Sequence, residues 1–103
     1  MKKIEELSNK IEKEIESAGE YAKCALNLKE SDPSTAELYF KIASNRLEDM
    51  AALHAHVVSI ITDYRKEHGE PREDMKILYR IFHKKHIENA AAVKGMLALY
   101  KEP

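Results

Sequence analysis

Two short breaks divide the chain into three long segments, and apolar residues recur every three or four positions within each segment. The breaks are Ser-Asp-Pro-Ser at 31–34 and His-Gly-Glu-Pro at 68–71. Such spacing places apolar side chains along one side of an α-helix. Because the 103 residues include only three glycines and three prolines, little else interrupts these helices. We therefore predict an all-α chain with helices near residues 3–29, 34–67 and 72–101.

Both breaks contain residues that begin or end helices. Asp32 could cap the second helix with Pro33 at its first position, or Ser34 could cap it with Glu37 three residues later. Gly69 suits the left-handed residue after a helix, and the proline two positions later suits the start of the next one. Because both connections are short, neighbouring helices run antiparallel. We expect all 103 residues to form one domain of three long antiparallel helices.

Composition excludes several classes of protein. The 17 basic and 18 acidic residues leave a net charge of −1, which gives no electrostatic reason to expect nucleic acid or an anionic membrane as a partner. No segment approaches the roughly 20 apolar residues of a membrane span, and the first residues are too charged for a secretory signal peptide. Cys24 is the only cysteine, which excludes an intrachain disulfide and suits a reducing compartment. We predict a soluble, cytoplasmic protein with Cys24 in the core or an interface.

Glu14 interrupts the otherwise apolar side of the first helix. A buried carboxylate is costly unless it is paired or binds a metal. Glu14 could instead lean to the rim and meet a neighbouring lysine, or lie half in water. Equal helical rise places Glu14 level with about residues 48–50 of the second helix, where Asp49 occurs, and Asp49 level with about residue 89 of the third. The sequence thus predicts a polar layer near the middle of the bundle.

Residues 11–62 carry a resemblance to a known superfamily. Glu14 is followed seven residues later by Tyr21, and the second helix continues through Ala36-Glu-Leu-Tyr-Phe to Leu53-His54. These features resemble ferritin-like proteins of the rubrerythrin kind, in which such a glutamate ligates metal and the second helix supplies Glu-x-x-His. That motif falls on Arg46 and Asp49, so both of its ligands are replaced. The resemblance implies a ferritin-like bundle with a degenerate metal site.

The third helix resembles small, mostly uncharacterised ferritin-like proteins of bacteria and their prophages, through Tyr79, His83, His86 and the Ile-Glu pair that ends at Glu88. A complete ferritin-like site takes ligands from two further helices, and this chain has only one. The resemblance therefore implies a bundle completed by dimerisation.

The replacement of a ligand by Arg46 suggests its own chemistry. A guanidinium can hold two carboxylates by forked hydrogen bonds, so Arg46 could replace the cation. A fixed positive charge also disfavours a divalent ion nearby. We therefore expect no cofactor and no catalytic residues. The predicted polar cluster of the ancestral site consists of Glu14, Tyr21, Arg46 and Asp49.

The histidines carry less information. His54 and His56 point to different faces of the second helix, which makes them a poor metal pair. His83 and His86 have a spacing that binds zinc or nickel weakly, but the two lysines between them favour a solvated face.

These observations lead to two main hypotheses about function; a third class, a coiled-coil adaptor with no ancestral site, would have Glu14 and Arg46 pointing to water. The first is a non-catalytic, ferritin-like bundle that acts through self-association or protein binding, as a homo-oligomer or with a protein partner, without nucleic acid or membrane. The alternative is a ferritin-like protein that binds iron or manganese at a homodimer interface. Its ligands would be Glu14 and Asp49, with His86 or Glu88 as weak candidates.

Overall fold

The computed structural model describes residues 2–103, which form three helices and no strand. The helices are α1, Lys2–Leu28, α2, Pro33–His68, and α3, Glu73–Lys101. Each bound lies within one residue of the position expected from the sequence. The prediction of an all-α chain with three long helices is confirmed.

Local interactions explain where the helices begin and end. Asp32 caps α2, since its carboxylate accepts a hydrogen bond of 3.2 Å from the backbone N–H of Thr35, and Pro33 occupies the first helical position. Gly69 ends α2 at φ +76°, where its N–H donates to the carbonyl of Arg65. Arg72 precedes α3 without a capping side chain. Of the two caps that the sequence allowed for α2, the structure contains the one at Asp32.

Helix α1 lies between the other two. It packs most extensively on α2 and less on α3, whereas α2 and α3 approach each other at few backbone positions. Glu14 meets Arg46 and, further along α1, Tyr21 meets the earlier residue Tyr39, so α1 and α2 are antiparallel. Glu12 meets Lys85, and Gly19 lies beside Val93, so α1 and α3 are parallel. The result is a rod of 55 × 19 × 17 Å.

Small side chains form much of the contact between α1 and α2. The buried alanines of these two helices are at most 1% exposed, and short side chains allow helix axes to come close. Larger residues, including Ile11 and Ile15, continue the buried side of α1 toward its N-terminus. Cys24 is exposed, so of its two expected positions the core is wrong and an interface stays a prediction. The buried alanines are Ala18, Ala22, Ala25, Ala36 and Ala43.

Larger groups fill the wider gap between α2 and α3. The rings of Phe40 and Tyr100 stack with centroids 4.7 Å apart near one end of the rod. The imidazoles of His54 and His83 stack at 4.9 Å further along the rod. Side chains rather than close backbones therefore connect these two helices.

Candidate functional site

The predicted polar layer forms at the junction of α1 and α2. Arg46 Nη1 lies 3.8 Å from Glu14 Oε2 and 4.0 Å from Asp49 Oδ2. One guanidinium nitrogen therefore faces both carboxylates, at distances typical of ion pairs rather than of forked hydrogen bonds. The positive charge of Arg46 lies where a metal shared by these carboxylates would have to bind, so the arrangement does not fit a divalent cation.

Solvent reaches most of this layer. The side chains of Arg46, Asp49 and Glu14 are 42%, 61% and 26% exposed. The layer lies at the rim of the α1–α2 contact, so the partly solvated position that the sequence left open for Glu14 is the one that the structure contains. Only Glu14 Oε2 is itself buried, and it has no hydrogen-bond partner within residues 2–103. The positive charge of Arg46 thus partly compensates the burial of one carboxylate oxygen of Glu14. It does not belong to a closed network of buried charges.

The register between α1 and α2 differs from the estimate based on helical rise. Glu14 meets Arg46 instead of residues 48–50, because the connection consists of residues 29–32 and is centred earlier than expected. Tyr21 lies two helical turns beyond Glu14, where its ring packs on Tyr39 at 5.6 Å. Tyr21 therefore packs between α1 and α2. Among residues 2–103, the ion pairs of Arg46 are with Glu14 and Asp49, and Tyr21 is not part of them.

The remaining metal candidates lie on α3. Glu88 is exposed, whereas His86 is only 5% exposed and belongs to the buried side of that helix. Across residues 2–103, no three or more His, Cys, Asp or Glu side chains are grouped so that they could hold a metal ion. Of the four candidates, Glu14 and Asp49 both lie beside Arg46, and the described residues do not join them with His86 and Glu88 into a set of metal ligands.

A second polar group, whose members were not predicted from the sequence to lie together, lines a cavity between α2 and α3. The cavity has a volume of about 400 Å³ and is closed below by the N-terminal half of α1. His54, His83 and His86 all line it. The solvated face expected for the last two histidines holds for His83 and is wrong for His86, because His86 shares the buried stripe of Ala90 and Val93.

The environment of the histidines affects their protonation. Burial lowers the pKa of His54, and neighbouring His83 lowers it further. Burial also lowers the pKa of His86, an effect that Glu12 partly opposes. The Nε2 atom of His86 is buried without a hydrogen-bond partner among the described residues. Both imidazoles with a lowered pKa are therefore neutral at pH 7.

A signal for this cluster was present in the sequence. Antiparallel pairing around Gly69 places His54 level with about residue 85, within one turn of His83. His86 lies seven residues before Val93, which is on the same side of a helix. What the sequence did not reveal is the separation of α2 and α3, which creates the cavity.

No protein-family model, curated protein or solved structure matches this chain. None of the helices within residues 2–103 has both the length and the apolar character that a membrane span requires. The resemblance to ferritin-like proteins therefore stays a prediction based on the residues named above.

Proposed function

We propose that this protein acts without catalysis, by self-association through the outer side of α3. The observation that carries this proposal is the exposure of two large apolar side chains on a helix whose other side is already packed. Ile77 is 48% exposed and Ile81 is 57% exposed, one turn apart. Neighbouring apolar residues of this size on a surface are typical of an association site.

The outer face of α3 consists of exposed residues that recur in steps of four and three. Isoleucines occupy its N-terminal part, opposite charges its middle, and small residues its C-terminal part. A Cβ atom added at Gly95 would meet nothing within 4 Å, so this end of the face is open. The outer face consists of Ile77, Ile81, Lys84, Glu88, Ala91 and Gly95.

This order of residues is complementary to itself in an antiparallel pair. A twofold axis near residue 86 would place Ile77 over Gly95 of the second copy and Ile81 over Ala91 of the second copy. Lys84 would then lie level with Glu88 of the second copy, and every pair would occur twice. Large residues would meet small ones and opposite charges would meet, as an isologous dimer interface requires.

The polar layer supports a non-catalytic role. Arg46 lies between Glu14 and Asp49 and neutralises part of their charge, so a divalent metal would meet electrostatic repulsion there. The alternative of an iron or manganese protein predicts bound metal in protein purified without a histidine tag. Elemental analysis that finds stoichiometric iron or manganese would favour this alternative.

Sedimentation velocity at micromolar concentration tests the proposed dimer. We expect a species of twice the 11.8 kDa chain mass. Ile81→Lys should yield the monomer with unchanged helicity. Ile87→Lys is the matched control, because Ile87 is 55% exposed but lies outside the outer face, and it should remain dimeric. A wild-type monomer, or a dimer that Ile81→Lys leaves intact, would contradict the proposal.

Cysteine pairing tests the register. In a Cys24→Ser background, one protein carries Lys84→Cys and another carries Glu88→Cys. When the two are mixed and oxidised, the disulfide between different variants should form faster than either disulfide between identical chains. If the two copies of α3 were parallel, disulfides between identical chains would form faster instead, because the same residue of each copy would then lie at the same level.

A further inference from the structure

The cavity between α2 and α3 has an apolar interior. Ile4 and Ile11 form its floor, while Val57, Ile61 and Phe82 contribute its walls. Ile4 and Ile11 are at most 2% exposed, so the floor is firmly packed from below. Its volume of about 400 Å³ lies in the range of pockets that hold small molecules. The interior thus favours an apolar group.

The charged side chains that line the cavity are predominantly basic. Arg65, Lys76 and Arg80 contribute three positive charges, and Glu70 contributes one negative charge. Glu70 contacts Lys76 at 3.1 Å and Arg65 at 3.6 Å, and the hydrogen bond from Lys76 lowers its pKa. Arg80 makes no ion pair within residues 2–103. The rim therefore retains a guanidinium that can bind an anion.

The histidines make this cavity more than a packing defect. His86 is buried, and its Nε2 atom lacks a hydrogen-bond partner among residues 2–103, which is unfavourable in a protein interior. The stacked rings of His54 and His83 add a flat wall between the helices. A guest in the cavity would pack against all three rings, of which that of His86 is buried and that of His83 is exposed.

We propose that this cavity binds a small organic monocarboxylate with an apolar body. The apolar body lies against Ile4, Ile11 and Phe82, and the carboxylate pairs with Arg80 at the rim. A metal ion fits less well, because the stacked imidazoles do not converge and three cationic side chains surround the opening. The cavity and the outer face lie on different sides of α3, so this proposal is independent of the dimer.

Calorimetry with two probes of equal chain length tests the proposal. Decanoate, below its micelle concentration, should bind, and decanol should bind at least about tenfold more weakly because it lacks the charge-assisted contact. Arg80→Gln should reduce the affinity for decanoate toward that for decanol. Lys94→Gln removes a charge from α3 far from the cavity and should leave the affinity unchanged.

A second variant tests whether the two probes bind in this cavity. Val57→Trp should fill the cavity and abolish binding of both probes, while circular dichroism verifies that the protein stays helical. In the wild type, decanoate should shift the imidazole NMR signals of His54, His83 and His86 and leave that of His56 unchanged. Equal affinity for decanol, binding that survives Val57→Trp, or zinc binding to these histidines without any response to decanoate would overturn the proposal.

Discussion

The two sides of α2 pack in opposite ways. Toward α1, the contact contains fully buried alanines such as Ala36 and Ala43, and the backbones lie close together. Toward α3, stacked rings such as His54 on His83 bridge a wider gap that contains a cavity of about 400 Å³. The same helix thus belongs to a closed interface and to an open one.

The difference arises from side-chain size. Short side chains bring two helices together along their length, so the contact excludes water and leaves little free volume. Rings and long basic side chains keep helices apart and create space between them. Binding of other molecules is therefore expected on the open side of α2 and on the outer face of α3. The stability of the fold is expected to depend mainly on the closed side of α2.

The largest expected effect tests this dependence. Ile15→Ala removes a side chain that is 4% exposed in the core, and we expect a loss of about 2–5 kcal/mol in the free energy of unfolding. Ile87→Ala, at a position 55% exposed, should cost less than about 1 kcal/mol. Urea unfolding followed by circular dichroism measures both values. Similar losses for the two variants would mean that the buried core is not the main source of stability.

The second largest effect concerns larger side chains, which should lower stability more on the closed side of α2 than on the open side. Ala18→Leu inserts bulk into the closed interface and should cost about 1–3 kcal/mol. Val57→Leu adds a methylene group beside the cavity and should change stability by less than about 0.5 kcal/mol. Ala55→Leu, on the exposed side of α2, controls for the substitution itself. Thermal melts that show equal losses for Ala18→Leu and Val57→Leu would remove the distinction.

A smaller effect is expected at the polar layer. Because Arg46 and Asp49 are largely exposed, Arg46→Ala should cost about 0.2–1 kcal/mol, as surface ion pairs do, instead of the cost of a buried cluster. Asp49→Asn should have less effect, because Glu14 retains its contact with Arg46. A loss well above this range, measured by urea unfolding, would show that the layer is more desolvated than its exposure indicates.

The last prediction concerns pH. The folded protein lowers the pKa of His54 and His86 below the ordinary value of 6.5, so the unfolded chain takes up protons first as the pH falls. Stability should therefore be full above about pH 6.5 and decrease as the pH falls toward the folded pKa values. Besides burial, His83 lowers the pKa of both histidines; for His86, Lys85 and His54 also lower it and Glu12 raises it.

Unfolding measured from neutral pH downward in two variants tests this prediction. A variant with His54→Gln and His86→Gln should lose less stability over the same pH range than the wild type. His56→Gln, at an exposed position, should behave as the wild type does. A double variant with an unaltered pH dependence would place the responsible groups elsewhere.

Local signals in the sequence were sufficient for the helices. Asp32 followed by Pro33 caps α2 through contacts within one turn, and Gly69 ends it through its own backbone conformation. Neither interaction depends on how the helices pack, because each involves residues close together in the chain. The apolar spacing likewise indicated which side of α1 is buried.

The site was less predictable. Glu14, Arg46 and Asp49 were expected together and do lie within ion-pair distance, but their exposure depends on where the rim of the α1–α2 contact falls. A shift of the register by a few residues moves side chains between core and solvent. Spacing within one helix carries no information about that shift.

By itself, the sequence determined the number, limits and apolar sides of the helices, because these follow from contacts between neighbours in the chain and from periodicity. Only the tertiary structure decided the register of α1 against α2, the burial of His86 and the cavity beside it. Those features depend on the distances between helix axes. The axis distances result from all the side chains in each interface at once, so no single motif specifies them.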